Sequence, residues 1–490
     1  MSDQSMPTSV EQLADCVTAA QTAYEHSREA TLAQRASWLE AVAAALESHA
    51  GELVPIAREE THLDEARLQG ELKRTAFQLR LFADEIVRGE HLGATIDHAD
   101  ATWGMGPRPD IRRMNVPLGV VGVFGASNFP FAFSVIGGDS AAALAAGCAV
   151  VHKIHDGHRT LALRTGEIVV AALREAGAPA GLFATISGHA AAEALVDHPL
   201  VKAIGFTGSI AGGRALFDRA SRRPEPIPFF GELGSMNPVF VTKAAWTARR
   251  DEILAGYANA ATMGMGQFCT KPGLLFIPEC DAAEVAQALQ AVFTSKQAAP
   301  LLTPRLREGF DAAVKAVGAL PGVRVLIEGD GARAPSPTVL IAASADVRAQ
   351  GAVLKEEMFG PATVIVQYRD ESELAELAQR LEGQLTCTLQ AESDEDVAKL
   401  LSVVSEKGGR VLWNGWPTGV TVSYAQHHGG PYPATTAPST TSVGTAAISR
   451  FMRPVAYQTF PDAQLPLALR DGNPCGITRR VDGRWQPAVR

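Results

Sequence analysis

The segment GMGQFCTKPG, at 264–273, places Cys269 among glycines, a glutamine and a Thr-Lys-Pro turn. A thiolate at this position would be a nucleophile able to form a covalent intermediate. An unreactive cysteine would instead be a small buried hydrophobic residue, as most free cysteines are. The segment alone is compatible with both interpretations.

Two further segments carry side chains suited to acid–base and oxyanion chemistry. In FFGELGSMNP, Glu232 lies between apolar and glycine residues, where a poorly solvated carboxylate can act as a general base. In VFGASNFPFAF, Asn128 follows a predicted strand, so its amide would project from the carboxyl edge of a sheet. A structural hydrogen bond for Glu232 and a self-stabilised turn at Asn128 are the alternatives.

Two segments are suited to binding a nucleotide. In GFTGSIAGGRALF, Gly208 and Ser209 lie between a predicted strand and a helix, whose free N–H groups and dipole favour a phosphate. The spacing is not GxGxxG, so an ordinary strand-to-helix turn is an alternative. In VVHKIHDGH, Lys153 and Asp156 follow another strand and would suit ribose hydroxyls, unless they form only an exposed ion pair.

The elements that must position these residues follow from the hydrophobic pattern. A first helix is predicted to begin at a capping box formed by Thr8 and Glu11, and two more are predicted over 33–60 and 66–89. The first hundred residues are therefore interpreted as scaffold. Between Pro117 and Glu232, short apolar runs alternate with helical segments, and this alternation indicates a doubly wound α/β domain. A second series of strands and helices starts near 238, and the change after Glu232 places 232–269 along a cleft. The segment after about 425 lacks periodicity and is predicted to be a long irregular loop of the kind that is often functional.

Composition narrows the function classes. The net charge of −9 is dispersed and offers no basic stripe, so nucleic acid is not an expected partner. The first residues do not resemble a signal peptide and no apolar run is long enough for a bilayer, so a cytoplasmic protein without a membrane partner is predicted. The six cysteines show neither disulfide nor metal-ligand spacing, which predicts free thiols and no metal site.

The order of the motifs is more informative than any one of them. GASNFP, the lysine after the next strand, FTGS, GELGSMNP, GQFCTKPG and EEMFGP follow one another along the chain. This set resembles the aldehyde dehydrogenase superfamily over nearly the whole chain. The terminal stretch HHGGPYPATTAPSTTSVGTAAISRFMRPVAYQTFP is similar to one branch in particular, that of α-ketoglutaric semialdehyde (2,5-dioxovalerate) dehydrogenases and NADP-dependent long-chain aldehyde dehydrogenases.

The resemblance implies a role for each candidate. Cys269 would attack the aldehyde carbon, the Asn128 amide and the Cys269 N–H would hold the oxyanion, and Glu232 would activate the water that hydrolyses the thioester. The resemblance also implies three contacts with the cofactor. Lys153 and Asp156 would contact the adenosine ribose, and Gly208 and Ser209 the pyrophosphate. Glu357 and Phe359 of EEMFGP would contact the nicotinamide ribose.

The resemblance also implies the architecture. It predicts an NAD(P)-binding domain of Rossmann type at 1–98 and 118–234, and an α/β catalytic domain at 235–445. Residues 99–117 and 446–490 would form a small oligomerisation arm and the C-terminal tail. A homodimer or homotetramer follows, with strand pairing between subunits.

Departures from the family pattern leave two questions open. Asp156 stands where NAD-preferring relatives carry Glu, so NAD is favoured over NADP, although His155 and His158 nearby would soften the repulsion of a 2′-phosphate. Lys271 would favour the Cys269 thiolate if its ammonium faced that sulfur, and would do nothing if it faced solvent.

The expected reaction is oxidation of α-ketoglutaric semialdehyde to 2-oxoglutarate. The alternatives are a broad-specificity or long-chain fatty aldehyde dehydrogenase and, from a different class, a non-catalytic protein of the same fold. A cationic residue facing the substrate carboxylate would separate the first two, and Arg112, Arg113 and Lys271 are the candidates.

Overall fold

The computed structural model describes residues 6–488, apart from the side chain of residue 350. Within that range, fourteen α-helices are α1 Val10–Ser27, α2 Leu32–Ser48, α3 Ala50–Thr61, α4 Glu65–Arg88, α5 Asp139–Ala146, α6 Arg159–Glu175, α7 His189–Asp197, α8 Ile210–Ser221, α9 Lys243–Thr262, α10 Ala282–Phe293, α11 Pro304–Gly318, α12 Ser344–Gln350, α13 Glu373–Arg380 and α14 Ala398–Lys407. The strands are β1 Thr95–Asp97, β2 Ile111–Pro117, β3 Val120–Phe124, β4 Ala149–Lys153, β5 Phe183–Ile186, β6 Val201–Thr207, β7 Phe229–Glu232, β8 Val239–Val241, β9 Leu274–Pro278, β10 Arg324–Ile327, β11 Thr338–Ala343, β12 Ala362–Tyr368, β13 Gln384–Gln390, β14 Gly408–Trp413, β15 Met452–Gln458, β16 Arg479–Val481 and β17 Arg484–Gln486.

The first sheet is five-stranded and parallel, in the order β5-β4-β3-β6-β7. Every residue of β3 and β7 is buried, because helices cover both faces of the sheet. The register aligns Phe124 with Lys153 and with Phe206, and Thr207 with Glu232, so these strands end at one edge. The predicted doubly wound α/β class is confirmed.

The second sheet has seven strands in the order β10-β11-β12-β9-β8-β13-β14. Apart from β10, which is antiparallel to its neighbour, the strands run parallel. The amino ends of β8, β9 and β12 therefore lie side by side. Loops at these ends contact loops at the carboxyl edge of the first sheet, and the candidate site lies between the two edges.

A third, mixed sheet joins distant parts of the chain in the order β15-β2-β1-β16-β17. Its strands β1 and β2 come from 95–117 and the others from 452–486. The three sheets thus use separate stretches of sequence, but β1 falls within 1–98, on the cofactor-domain side of a predicted domain boundary. The boundaries themselves remain predictions.

The N-terminal helices differ from the sequence prediction in detail. The N-cap of α1 is Ser9 and its capping-box partner is Gln12, rather than Thr8 and Glu11, since the Ser9 hydroxyl reaches the Gln12 N–H. The helix predicted over 33–60 is broken at His49, whose backbone leaves the helical region and whose Nδ1 lies 2.8 Å from the Ala45 carbonyl oxygen.

The segment 414–444 has no helix or strand, as the sequence predicted for its second half. Parts of it are deeply buried, and it returns to the edge where the two sheets meet. None of the helices in the described part of the chain combines the length and the apolar character that crossing a membrane requires. All six cysteines are free, as predicted.

Candidate active site

The candidate residues of the first sheet lie at its carboxyl edge. Lys153 ends β4 and Glu232 ends β7, while Gly208 and Ser209 follow β6 directly. Asn128 lies in the turn after β3. This clustering is what the parallel arrangement predicts, because neighbouring parallel strands end on the same side.

Cys269 lies in the loop between α9 and β9, at the amino end of the second sheet, and its side chain is half-buried. The loop is reached through Gly264, Met265 and Gly266, all three with positive φ. A Cβ on Gly266 would meet the carbonyl of Gly360, so only glycine permits the two loops to pass this closely. The approach brings the Cys269 loop beside the loop of Glu357 and Phe359.

The thiol lies beside a buried histidine–carboxylate pair. His428 Nε2 is 3.7 Å from Cys269 Sγ and 2.8 Å from Glu232 Oε1. The Ser442 hydroxyl donates to the other carboxylate oxygen, Oε2, at 2.8 Å. Reactive atoms of Cys269, Glu232 and His428 all lie within 4.8 Å of one another. A thiol therefore lies beside a hydrogen-bonded imidazole and carboxylate, an arrangement that can activate a nucleophile.

The electrostatics of this cluster favour a carboxylate and a resting thiol. Burial alone would raise the pKa of Glu232, but His428 and the hydrogen bonds from His428 and Ser442 outweigh burial and lower it. Burial and the neighbouring Glu232 charge raise the pKa of the Cys269 thiol well above its usual range. The thiol must therefore lose its proton to a neighbouring group before it can attack.

Asn128 is buried at the edge of the same cluster. Its Nδ2 donates to the carbonyl oxygen of Gln267 at 2.9 Å, two residues before the cysteine. A side-chain amide has two N–H groups, so one remains available for an oxyanion. The structure thus brings the predicted oxyanion donor to the cysteine loop.

Asn237, which the sequence interpretation did not single out, holds that loop. It is fully buried with a φ of 47°, and its Nδ2 donates to the carbonyl oxygens of Cys269 and Lys271 at 2.8 and 2.9 Å. Thr386 donates to its Oδ1 at 3.0 Å. The residue type was the available signal, because asparagine tolerates the left-handed region better than most residues.

Lys271 follows neither of the alternatives considered from sequence. Its ammonium is buried and donates to the carbonyl oxygens of Met358, Gly360 and Ala362, the latter two at 3.0 and 2.8 Å. Burial lowers its pKa, and the negative charge of Glu357 opposes that shift. Lys271 therefore fixes the loop of Glu357 and Phe359 against the cysteine loop.

A cavity of about 770 Å³ lies at the edge of the first sheet, beside two of the six cofactor-side candidates. Lys153 and Asp156 line it, with Nζ and Oδ2 3.7 Å apart and the Asp156 side chain 69% exposed. Ser209 is the N-cap of α8, accepting from the Gly212 N–H at 3.2 Å, and Gly208 donates to the Glu232 carbonyl at 3.1 Å. A helix N-terminus, an ammonium and a carboxylate face the same space, which is the donor set that a dinucleotide needs.

The histidines expected to soften the charge of Asp156 do not carry charge. Burial, with help from His158 and Lys153, lowers the pKa of His155 to about 3. Burial also lowers the pKa of His158, whose Nε2 lies 3.0 Å from the Ala126 carbonyl oxygen. Both imidazoles are neutral at pH 7, so the expectation that they offset Asp156 is wrong.

Glu357 reaches the same edge from the second sheet. A Cβ on Gly234 would collide with its Oε2, so the carboxylate lies directly against the chain that leaves β7. Burial raises the pKa of Glu357, and Lys271 opposes that shift. Phe359 is two residues further on and partly buried. The Glu357 carboxylate therefore lies at the junction of the two sheets.

Two of the three cations proposed for the substrate carboxylate lie elsewhere. Arg112 is in the third sheet and pairs with Asp110 at 2.9 Å and with Asp471 at 2.8 Å, and Arg113 is exposed on the same strand. The cavity that contains Cys269 is lined instead by Arg67 and Arg74 of α4. Interpreting the first hundred residues as scaffold was therefore wrong.

Comparison with known proteins places this site in a family. The model of the aldehyde dehydrogenase family matches residues 5–432. The chain belongs to the aldehyde dehydrogenase family. It is therefore an enzyme of the class that oxidises aldehydes with NAD(P).

Curated relatives extend over nearly the whole chain. The α-ketoglutaric semialdehyde dehydrogenase 2 of Azospirillum brasilense is 44% identical, over 95% of this chain and 90% of its own length. The α-ketoglutaric semialdehyde dehydrogenase of Acinetobacter baylyi is 42% identical, over 97% and 91%.

Solved structures agree on the fold. The NAD-dependent aldehyde dehydrogenase from Sinorhizobium meliloti aligns with a TM-score of 0.76 at 21% identity, covering 94% of this chain and 88% of that one. The NAD⁺ complex of an aldehyde dehydrogenase from Bacillus cereus aligns with a TM-score of 0.77 at 22% identity, covering 92% and 89%. The predicted aldehyde dehydrogenase-like fold is confirmed.

Replacing Lys271 with Met should lower the melting temperature, because three backbone carbonyls lose a charged donor. The free energy of unfolding should fall by roughly 2 kcal/mol or more. Lys355→Met is the matched control, since Lys355 precedes the same loop with a side chain 54% exposed. Differential scanning calorimetry compares the two variants, and equal melting temperatures would contradict the assigned role of Lys271.

Glu232→Gln should shift the alkylation of Cys269 to lower pH. The Glu232 charge contributes to the raised thiol pKa, so its removal stabilises the thiolate and the thiol titrates at lower pH. Iodoacetamide labelling of Cys269 across pH, followed by peptide mass spectrometry, gives the midpoint. Glu356→Gln, an exposed carboxylate near the same loop, should leave that midpoint in place. A midpoint that does not move in Glu232→Gln would rule out this coupling.

Proposed function

We propose that the enzyme oxidises α-ketoglutaric semialdehyde (2,5-dioxopentanoate) to 2-oxoglutarate. Two curated relatives at 44% and 42% identity carry that activity in their names. The observation that carries the chemistry is the contact of Cys269 Sγ with His428 Nε2, itself bonded to Glu232. The overall reaction converts the aldehyde, NAD(P)⁺ and water into the carboxylate, NAD(P)H and two protons.

Each chemical step of the proposed reaction is assigned to particular residues of the site. Cys269 loses its proton to the His428–Glu232 pair and its sulfur adds to the aldehyde carbon. The second N–H of the Asn128 amide and the N–H of Cys269 stabilise the oxyanion. After the pair has released the Cys269 proton to solvent, Glu232 removes a proton from the water that attacks the Cys269 thioester, while His428 and Ser442 keep the carboxylate in place.

The cofactor cavity fits a dinucleotide. Bound NAD(P) supplies the hydride acceptor whose reduction turns the tetrahedral adduct into a thioester. Lys153 would hold the adenosine ribose, Gly208 and Ser209 the pyrophosphate, and Glu357 with Phe359 the nicotinamide ribose. The buried ammonium of Lys271 would keep the last two in place.

NAD is the proposed cofactor. A 2′-phosphate beside Asp156 would face a carboxylate, and His155 and His158 are neutral. Of the arginines that line the cavity, Arg219 pairs with Asp197 at 2.5 Å and Arg223 donates to backbone carbonyls. Arg222 and Arg305 are the exposed cations that would hold a 2′-phosphate if NADP bound instead.

The assembly and the location are further parts of the proposal. The edge strands of the third sheet, β15 and β17, each have one side without a partner strand among residues 6–488, which supports a homodimer or homotetramer built by strand pairing. Six free thiols suit the reducing cytoplasm.

A long-chain or broad-specificity aldehyde dehydrogenase is the second candidate. Phe129, Phe133 and Phe268 line the cavity at Cys269 and would suit an alkyl chain. A carboxylated and a simple aliphatic aldehyde therefore have to be compared in the same assay.

Purified enzyme should reduce NAD when 2,5-dioxopentanoate is added, and the absorbance of NADH measures the rate. Cys269→Ala should abolish turnover, while the variant still binds NAD.

Glu232→Gln should slow thioester hydrolysis by roughly a hundredfold or more. Stopped-flow mixing should then show a burst of NADH before a slow steady state. Equal loss of both phases would contradict Glu232 as the deacylation base, and inactivity of the wild-type enzyme with 2,5-dioxopentanoate and with hexanal would contradict the function.

Asp156→Ser should raise kcat/KM for NADP by roughly fivefold, because removing one exposed charge relieves about 1 kcal/mol of repulsion. kcat/KM for NAD should fall, since the ribose hydroxyl loses its acceptor. Asp251→Asn on α9, an exposed carboxylate that does not line the cavity, is the control. An unchanged ratio of the two cofactors would remove Asp156 as the selecting residue.

A further inference from the structure

One face of α4 forms a charged wall of the cavity that contains Cys269. The cavity is about 480 Å³, and Arg67, Gly70, Glu71 and Arg74 line it from this helix. Their spacing places them on one face, and Gly70 has no atom within 4 Å of where its Cβ would be. The helix therefore presents two guanidiniums and one carboxylate to the space around the thiol.

Arg67 and Glu71 already have partners in this wall. The Arg67 guanidinium donates from Nη2 to the Asn128 carbonyl at 2.6 Å and stands 4.6 Å over the Phe268 ring. Glu71 Oε1 accepts from the backbone N–H groups of Phe131 and Ala132, and its Oε2 is 4.0 Å from Arg67. One carboxylate serves two guanidiniums, so the trio carries one unbalanced positive charge.

Arg74 has two donors without partners, whereas Arg67 has one, its Nη1, among the described residues. The Arg74 Nε donates to the Val420 carbonyl at 3.1 Å, and its guanidinium lies 5.0 Å from the centre of the Phe133 ring. Nη1 and Nη2 are both buried, and neither has a hydrogen-bond partner among the described residues. Buried charged donors without acceptors are costly, and a carboxylate matches both nitrogens at once.

We infer that Arg74 binds the carboxylate of the substrate while its aldehyde group lies at Cys269. This inference rests on the proposed function, because α-ketoglutaric semialdehyde carries its carboxylate at the end opposite the aldehyde. The surrounding phenylalanines exclude water and strengthen the ion pair. Arg74 thus selects for carboxylated aldehydes over simple aliphatic ones.

Arg74→Gln tests the assignment with two substrates, 2,5-dioxopentanoate and uncharged pentanal. We expect kcat/KM for 2,5-dioxopentanoate to fall about 10- to 100-fold, mainly through KM, while that for pentanal changes less than about threefold. Arg74→Lys keeps the charge and should recover part of the loss. Arg80→Gln, on the same helix but paired with Glu47 and not lining the cavity, should behave as wild type.

The outcomes separate the inference from the function on which it rests. An equal loss on both substrates in Arg74→Gln, with no recovery in Arg74→Lys, would overturn the inference and show that Arg74 only supports the backbone at Val420. Unchanged kinetics on both would also overturn it. A wild-type enzyme inactive with 2,5-dioxopentanoate but active with succinate semialdehyde would overturn the proposed substrate, and selective loss of that activity in Arg74→Gln would retain the carboxylate-binding role.

Discussion

The hydrogen bond between His428 and Glu232 joins residues 196 positions apart, and the arrangement of the site depends on it. A carboxylate at the end of a buried strand is costly unless both oxygens have donors. His428 and Ser442 supply them from an irregular segment that folds back to the edge of the first sheet. The same bond sets the position of the imidazole beside the Cys269 thiol.

The cysteine loop, in turn, is held mainly through its backbone. Asn237 accounts for two carbonyls of this loop, Asn128 for a third, and Lys271 ties the loop to the neighbouring one through three more. Contacts of this kind fix the path of the chain and leave the Cys269 side chain free for reaction. Such preorganisation places the sulfur before the substrate arrives.

The sequence predicted the residues whose position follows from a strand end. Glu232, Lys153 and Ser209 cluster because parallel strands share one edge, and motif order identified Cys269. The side chains missed depend on contacts with distant segments. Arg67, Glu71 and Arg74 have the spacing of an ordinary exposed ion-pair helix, and only the packing of α4 beside the cysteine loop gives them another environment. The direction of the Lys271 side chain depends likewise on a loop about ninety residues later in the chain.

The way the three sheets divide the chain has a consequence for synthesis on the ribosome. The strands of the first sheet all come from 120–232, so this sheet can form while the later parts are still being translated. Glu232 then lacks its first side-chain donor until His428 has emerged and its second until Ser442 has emerged, and the third sheet forms only with strands beyond residue 450. A chain that ends before residue 428 therefore lacks both side-chain contacts that hold the Glu232 carboxylate beside Cys269.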